Sequence, residues 1–523
     1  MRRIKSCEIA VVAVVFAICG CLTMSAHGDV RLPHIIADGM VLQRDIEVPI
    51  WGWAEPGEEV AVTMADHKAT AKADAAGKWL VRLPAMKAGG PHGMTVAGKN
   101  TIELKDILVG EVWICSGQSN MDMGIRSVNR GEQEVAEAKF PQIRLFRIGY
   151  KTAPAPQEDV DAQWKPCSPD NIGTGGFFNV GFSAVAYFFG RELHKELNVP
   201  IGLIQSAWGG SRIEPWTPPV GFAAVESLKD IVKTIDSATP NFDAAVKKTV
   251  EDIRTWLPGA EKTVAEGKPV APPPAWPKHQ LDDMGQPTGI YNAMIHPLVP
   301  LAIRGAIWYQ GESNAPEGMA YCDKMKALIG GWRKIWGQGD FPFYYVQIAP
   351  LDGQAGLYKA YADDQLPRLW EAQTAALAIP NTGMVVTNDI SDLADIHPKN
   401  KQDVGKRLAL WALAKTYGRT GLVCSGPLYK SMAIEADQIR VRFDYLGAGL
   451  ASRDGKPLTW FAVAGEDHKF VDAQAVIDGD TVVVRSEQVP KPVAVRFAWS
   501  MTAQPNLMNK EGLPASAFRT DRW

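Results

Sequence analysis

The feature that most constrains this chain is a run of short, continuously apolar segments separated by amphipathic stretches, from about Ile107 to Gly418. Val112-Trp-Ile-Cys115, Gly202-Leu-Ile-Gln-Ser-Ala207, Gly305-Ala-Ile-Trp-Tyr309, Phe343-Tyr-Tyr-Val-Gln347 and Gly383-Met-Val-Val-Thr387 read as strands. Helical periodicity falls between them at about 181–197, 316–336, 365–378 and 400–417. Apolar strands that do not alternate with polar residues are buried on both faces, so the pattern predicts a parallel sheet with helices on either side. In such sheets the functional crevice lies at the carboxyl ends of the strands. Polar clusters directly after each apolar run are therefore the places to look for chemistry.

Four clusters stand there. Cys115-Ser-Gly-Gln-Ser-Asn-Met121 follows the first strand and puts Ser119 on a glycine-bearing turn into a helix. A serine so placed exposes its hydroxyl and has its own N–H near a helix N-terminus, where negative charge is stabilised. Ala207-Trp-Gly-Gly-Ser-Arg212 follows the second strand, and its paired glycines let a backbone N–H approach a substrate oxygen closely. In Trp308-Tyr-Gln-Gly-Glu-Ser-Asn314, Gln310 or Asn314 offers a side-chain amide to an oxyanion, while Glu312 either meets substrate or pairs with a cation. Asp395-Ile-His-Pro398 sets a histidine beside a carboxylate, and Pro398 holds His397 extended at a helix start. Each cluster alone is commonplace. Their order, each behind a strand of one sheet, points to a hydrolase built on a serine and a histidine.

These blocks resemble the SGNH hydrolase superfamily, and within it the sialate O-acetylesterase-like carbohydrate acetylesterases. Gly117-Gln-Ser-Asn-Met121 is similar to the nucleophile block of that branch, and Trp208-Gly-Gly-Ser211 to its glycine block. Ile307-Trp-Tyr-Gln-Gly-Glu-Ser-Asn314 and Asp395-Ile-His-Pro-Lys-Asn-Lys-Gln402 resemble its third and acid/base blocks. Gly289-Ile-Tyr-Asn-Ala-Met-Ile295, Arg368-Leu-Trp-Glu-Ala-Gln373 and Asn509-Lys-Glu-Gly-Leu-Pro-Ala-Ser516 extend the likeness almost to the C-terminus. The resemblance implies a flavodoxin-like SGNH sheet, with Ser119 as nucleophile and His397 as general base. It implies an oxyanion hole of the Ser119 and Gly210 N–H groups plus an amide, with Gln310 favoured over Asn314. Asp395 is the expected third member, with Asp392 or a backbone carbonyl as alternatives. Acetyl esters on a sugar are the implied substrate, with no metal or organic cofactor. Sialic acid and acetylated xylan both remain open, and Arg212, Trp216 and Glu312 are the candidate substrate contacts. A non-catalytic carbohydrate-binding protein is the rival from another class.

The flanks read differently. Residues 29–107 show short strands broken by turns at Glu55-Pro-Gly-Glu58 and Asp74-Ala-Ala-Gly77, a small β-sandwich. The sheet-and-helix region spans 108–418, with an insertion at about 219–285 that reads as two charged helical segments and a Pro-rich connector, 268–277. Short alternating strands return over 419–523 as a C-terminal β-region. Residues 1–28 carry Arg2, Arg3 and Lys5, then an uncharged run from Ile9 to Leu22 and small residues. That is the pattern of a secretory signal peptide, with a lipid anchor on Cys21 as the lesser alternative. Export is therefore expected, to the periplasm or beyond. Of the seven cysteines, Cys115, Cys167, Cys322 and Cys424 follow the leader, without zinc-ligand spacing. A formal charge of −3 gives no reason to expect nucleic acid or an anionic membrane as partner. The 17 tryptophans suit a surface that stacks on sugar rings.

Overall fold

In the computed structural model, residues 29–176, 180–352 and 361–523 are described. The leader expected at 1–28 lies outside them. Each apolar run is a strand: Thr101–Gly117, Ile201–Ala207, Gly305–Tyr309, Phe343–Val346 and Thr382–Val385. All four pairings among them are parallel. Numbered along the chain, the five lie in the order 2-1-3-4-5. Strand 1 is central, and Ser119 follows its end.

Side-chain alternation covers both faces of this sheet. Trp113 projects to one side, where it meets Phe189 edge-on and stacks on Tyr344. Gly305, its cross-strand partner, is glycine because a Cβ there would lie 2.7 Å from the Trp113 ring. Helices Ala184–Leu197 and Lys401–Trp411 cover this side, with Trp411 beside Tyr344. Trp308 points the other way, packing edge-on to Trp332 of helix Ala320–Trp336.

Two strands escape the apolar-run reading. Phe140–Arg147 pairs in parallel with Ile201–Ala207, and Trp164–Cys167 closes that edge antiparallel. The first carries a buried Arg144 whose guanidinium holds Asp106 at 2.6 and 2.9 Å, which breaks the apolar signature. The insertion also differs from its reading. In place of two charged helical segments it holds a short uncharged helix, Pro219–Ala223, and one long helix, Lys229–Ala265, with Pro240 and Pro258 inside it. It is anchored by a small apolar cluster of Phe222, Leu228 and Ala327. The Pro-rich stretch that follows has no regular structure and is mostly exposed.

Strand Thr101–Gly117 passes position 107 without a break. Its first half pairs with Gly89–Ala97 and Val41–Gln43, and its second half with the central strands. The C-terminal region forms antiparallel sheets, among them Leu428–Glu435, Gln438–Asp444, Thr481–Arg485 and Gln474–Asp478. It docks through Arg519 on Glu371 and Asn388 on the Ala515 carbonyl. One apolar core runs from Val30 to Phe518 through all three regions. The four described cysteines are buried and unpaired.

Candidate active site

The turn that presents Ser119 depends on Gly117. Its φ is +142°, and a Cβ there would lie 2.2 Å from the Tyr309 carbonyl oxygen on the next strand. The chain then enters a short helix, Ser119–Asp122, whose first residue is the serine. Gly209 lies against it, with room such that a Cβ would sit 3.4 Å from the Ser119 Cβ. His397, almost three hundred residues on, brings its Nε2 to 2.8 Å from Ser119 Oγ. A neutral imidazole protonated at Nδ1 accepts the serine proton at this distance. Both residues line a cavity of about 370 Å³ together with Asp122, Met123, Gly209 and Lys399.

Asp395 belongs to the same cavity but not to a closed triad. Its Oδ1 is 3.7 Å from His397 Nδ1, beyond hydrogen-bond length. It instead accepts the His397 backbone N–H at 2.9 Å and so shapes the loop. Asp392 Oδ1 accepts the Ala394 N–H. Burial, then the Lys401 ammonium, push the His397 imidazole below its ordinary range, against a smaller upward pull from Asp395. Both larger effects favour the neutral form of the ring.

Beneath the pair lies a buried polar network. Asn120 Nδ2 donates to Glu312 Oε1 at 2.6 Å and to the Ile396 carbonyl at 3.0 Å. Its Oδ1 accepts from Lys401 Nζ at 2.5 Å. One asparagine therefore ties the residue after the serine to the residue before the histidine. Burial pushes Lys401 down to about 7 and raises the Glu312 carboxyl.

A family model described as carbohydrate esterase, sialic acid-specific acetylesterase, matches residues 109–256 and 276–414. Mouse (Mus musculus) sialate O-acetylesterase is 31% identical over 94% of this chain and 93% of its own length. The chain belongs to this carbohydrate esterase family. The human (Homo sapiens) sialate O-acetylesterase is 32% identical over 79% of the chain and 76% of its own. A carbohydrate acetylesterase from Xanthomonas citri, whose crystal structure is known, is 37% identical, with a TM-score of 0.78. That match covers 94% of this chain and all of the other. The break in the family match, 257–275, falls on the end of the long helix and the Pro-rich stretch.

Within this carbohydrate esterase the remaining sequence candidates go elsewhere. Gln310 is wholly buried, and its amide donates to the Ser211 carbonyl and to Asn314 Oδ1. Asn314 donates to Glu214 and Glu317. Both amides, expected as oxyanion donors, have their hydrogens on protein acceptors here. Trp216 is fully buried, with its N–H on Ser211 Oγ at 2.9 Å and its ring edge-on to Trp308, and so packs in the core instead of against a sugar. Arg212 is ion-paired to Glu214 and Glu317. Glu312 is buried under Asn120 and does not line the Ser119 cavity. Gly210, at φ +76°, follows Gly209 in the loop beside the serine.

Three participants were missed. Asn120 and Lys401 stand inside the quoted blocks, but nothing in their local pattern announces burial. Asp122 lines the cavity and is held by Gln205 at 2.8 Å and by the Tyr150 hydroxyl.

Proposed function

We propose that this protein is a serine carbohydrate O-acetylesterase of SGNH organisation, acting through Ser119 and His397 by a covalent acetyl-enzyme. The observation that carries the reading is the 2.8 Å approach of His397 Nε2 to Ser119 Oγ at the mouth of a cavity. Ser119 attacks the acetyl carbonyl while His397 takes its proton. The N–H groups of Ser119, at the first turn of its helix, and of Gly210 receive the oxyanion. His397 then protonates the leaving sugar oxygen, and water activated by the same ring releases acetate. Asp395 assists as a nearby anion.

Sialate O-acetylesterases among the relatives support an acetylated sialic acid as substrate. Such a sugar carries a carboxylate, and Lys399 is a cation lining the cavity, in the role first expected of Arg212. A second reading, a neutral acetylated polysaccharide such as xylan, is favoured by the Asp122 and Asp395 carboxylates in the same cavity, which suit sugar hydroxyls. The basic start and short apolar run of the leader support export.

The test is acetate release from 4-nitrophenyl acetate, 9-O-acetyl sialic acid and acetylated xylo-oligosaccharides, with wild type and Ser119→Ala in parallel. Release by wild type and none by the variant is expected, and the preferred sugar decides between the two substrates. No release from any of the three by wild type would overturn the esterase reading.

A further inference from the structure

A second cleft lies on the N-terminal region. Strands Val48–Trp53 and Lys78–Leu83 pair as a two-stranded antiparallel ribbon, with Trp51 opposite Leu80 and Trp53 opposite Lys78. Alternation puts these four side chains on one face and Ile50, Gly52, Trp79 and Val81 on the other. The second set is core, buried throughout. The first set faces out, with Leu80 41% exposed and both indoles half-buried. An outward strand face is ordinarily polar, as it is in the neighbouring strand His67–Lys72. Two tryptophans and a leucine there break the rule.

The face is walled into a concavity. Gln157, Glu158, His296 and the turn to Pro300 stand opposite the ribbon and close a cleft of about 300 Å³. Trp53 is fixed in place: its N–H donates to Glu158 Oε2 at 3.1 Å, and the Arg31 guanidinium lies 5.3 Å over its ring. Lys78 in turn pairs with Glu158. Trp79 also borders the cleft, although its side chain belongs to the buried face.

We propose that this cleft is a second saccharide-binding site, distinct from the Ser119 cavity, that holds a neutral sugar unit. The two cavities share no lining residue. Indole faces take the C–H face of a pyranose, while the Asp74 and Glu158 carboxylates, the Gln157 amide and Lys78 offer both acceptors and donors to its hydroxyls. The pairing of Lys78 with Glu158 leaves that cation compensated, which favours a neutral sugar over an acidic one. A cleft of this volume is on the scale of a small ligand, whereas a stable protein partner needs roughly 800 Å² of surface on each side.

The experiment is isothermal titration of the full chain with unacetylated xylohexaose, cellohexaose and mannohexaose, alongside sedimentation and turnover of 4-nitrophenyl acetate. Wild type should bind at least one hexaose, and Trp51→Ala should weaken that binding tenfold or more while leaving ester turnover unchanged. Leu80→Glu, at an exposed position that tolerates charge, should do the same if Trp51→Ala proves unstable. Binding that survives both variants belongs to another surface and overturns the proposal, as does the absence of binding to every hexaose. A dimer lost in Leu80→Glu, with no hexaose bound, would give the face to a second copy and also overturn it. Failure of wild type to hydrolyse the ester would count against the catalytic reading alone.

Discussion

Replacing Asp395 by asparagine tests whether the site works as a dyad with a nearby charge or as a hydrogen-bonded triad. The carboxylate is 3.7 Å from His397 Nδ1, and the two side chains are 42% and 38% exposed. Two unit charges at that distance interact by about 4 kcal/mol at an effective dielectric of 20, but by only about 1 kcal/mol in water. Exposure this large places the pair toward the aqueous end, so roughly 1 kcal/mol of imidazolium stabilisation is at stake. That corresponds to somewhat under one pH unit. Asp395 pulls the His397 pKa upward, so Asp395→Asn lowers it. The acid limb of kcat/KM should therefore move to lower pH by about half to one unit. The plateau should fall about tenfold or less, since the amide oxygen of the introduced side chain still accepts the His397 backbone N–H that shapes the loop. Stopped assays of 4-nitrophenyl acetate hydrolysis between pH 4 and 9 would read both quantities. A closed triad loses about 10⁴ in turnover on the same change. A plateau loss of a thousandfold or more would refute the dyad reading.

Other perturbations follow from the same geometry. Lys401→Met removes a charge that helps hold the His397 pKa down, so the acid limb of kcat/KM should shift to higher pH in the same assay. Gly117→Ala forces a Cβ onto the Tyr309 carbonyl at a positive φ, and should cost about 3 kcal/mol or more in urea unfolding. Trp216→Ala should destabilise by about 3–5 kcal/mol, because the ring is core; a change confined to KM, with stability intact, would return Trp216 to the sugar.

The parallel sheet was legible because its strands are apolar on both faces, whereas its strand order came only from the resemblance. Phe140–Arg147 was not, because Arg144 fills a core position by virtue of Asp106, a partner remote in sequence. The meeting of Ser119 and His397 was legible from the glycine-bearing turn after the central strand and from the Pro398 that follows the histidine before a helix. Strand-end position does not tell which way an amide points. Gln310 sits where an oxyanion donor would sit, yet Tyr321, Ser211 and Asn314 turn it into the interior. Lys401 shows the same limit from the other side. A lysine on a charged helix reads as solvated until Asn120 and Glu312 arrive from other loops.

The unbroken strand Thr101–Gly117 bears on how this protein can be cut and recombined. Its first ten residues draw their ladder partners from Val41–Gln43 and Gly89–Ala97, and its last seven carry the chain to the Ser119 turn. Excising the N-terminal region would leave the same strand that aims Ser119 with a long, bare hydrogen-bonding edge, a template for fibrous association. Grafting that region onto another enzyme would therefore transplant part of the strand as well. The Ser119 turn and the N-terminal sheet are inherited as a single piece of backbone, not as beads on a string.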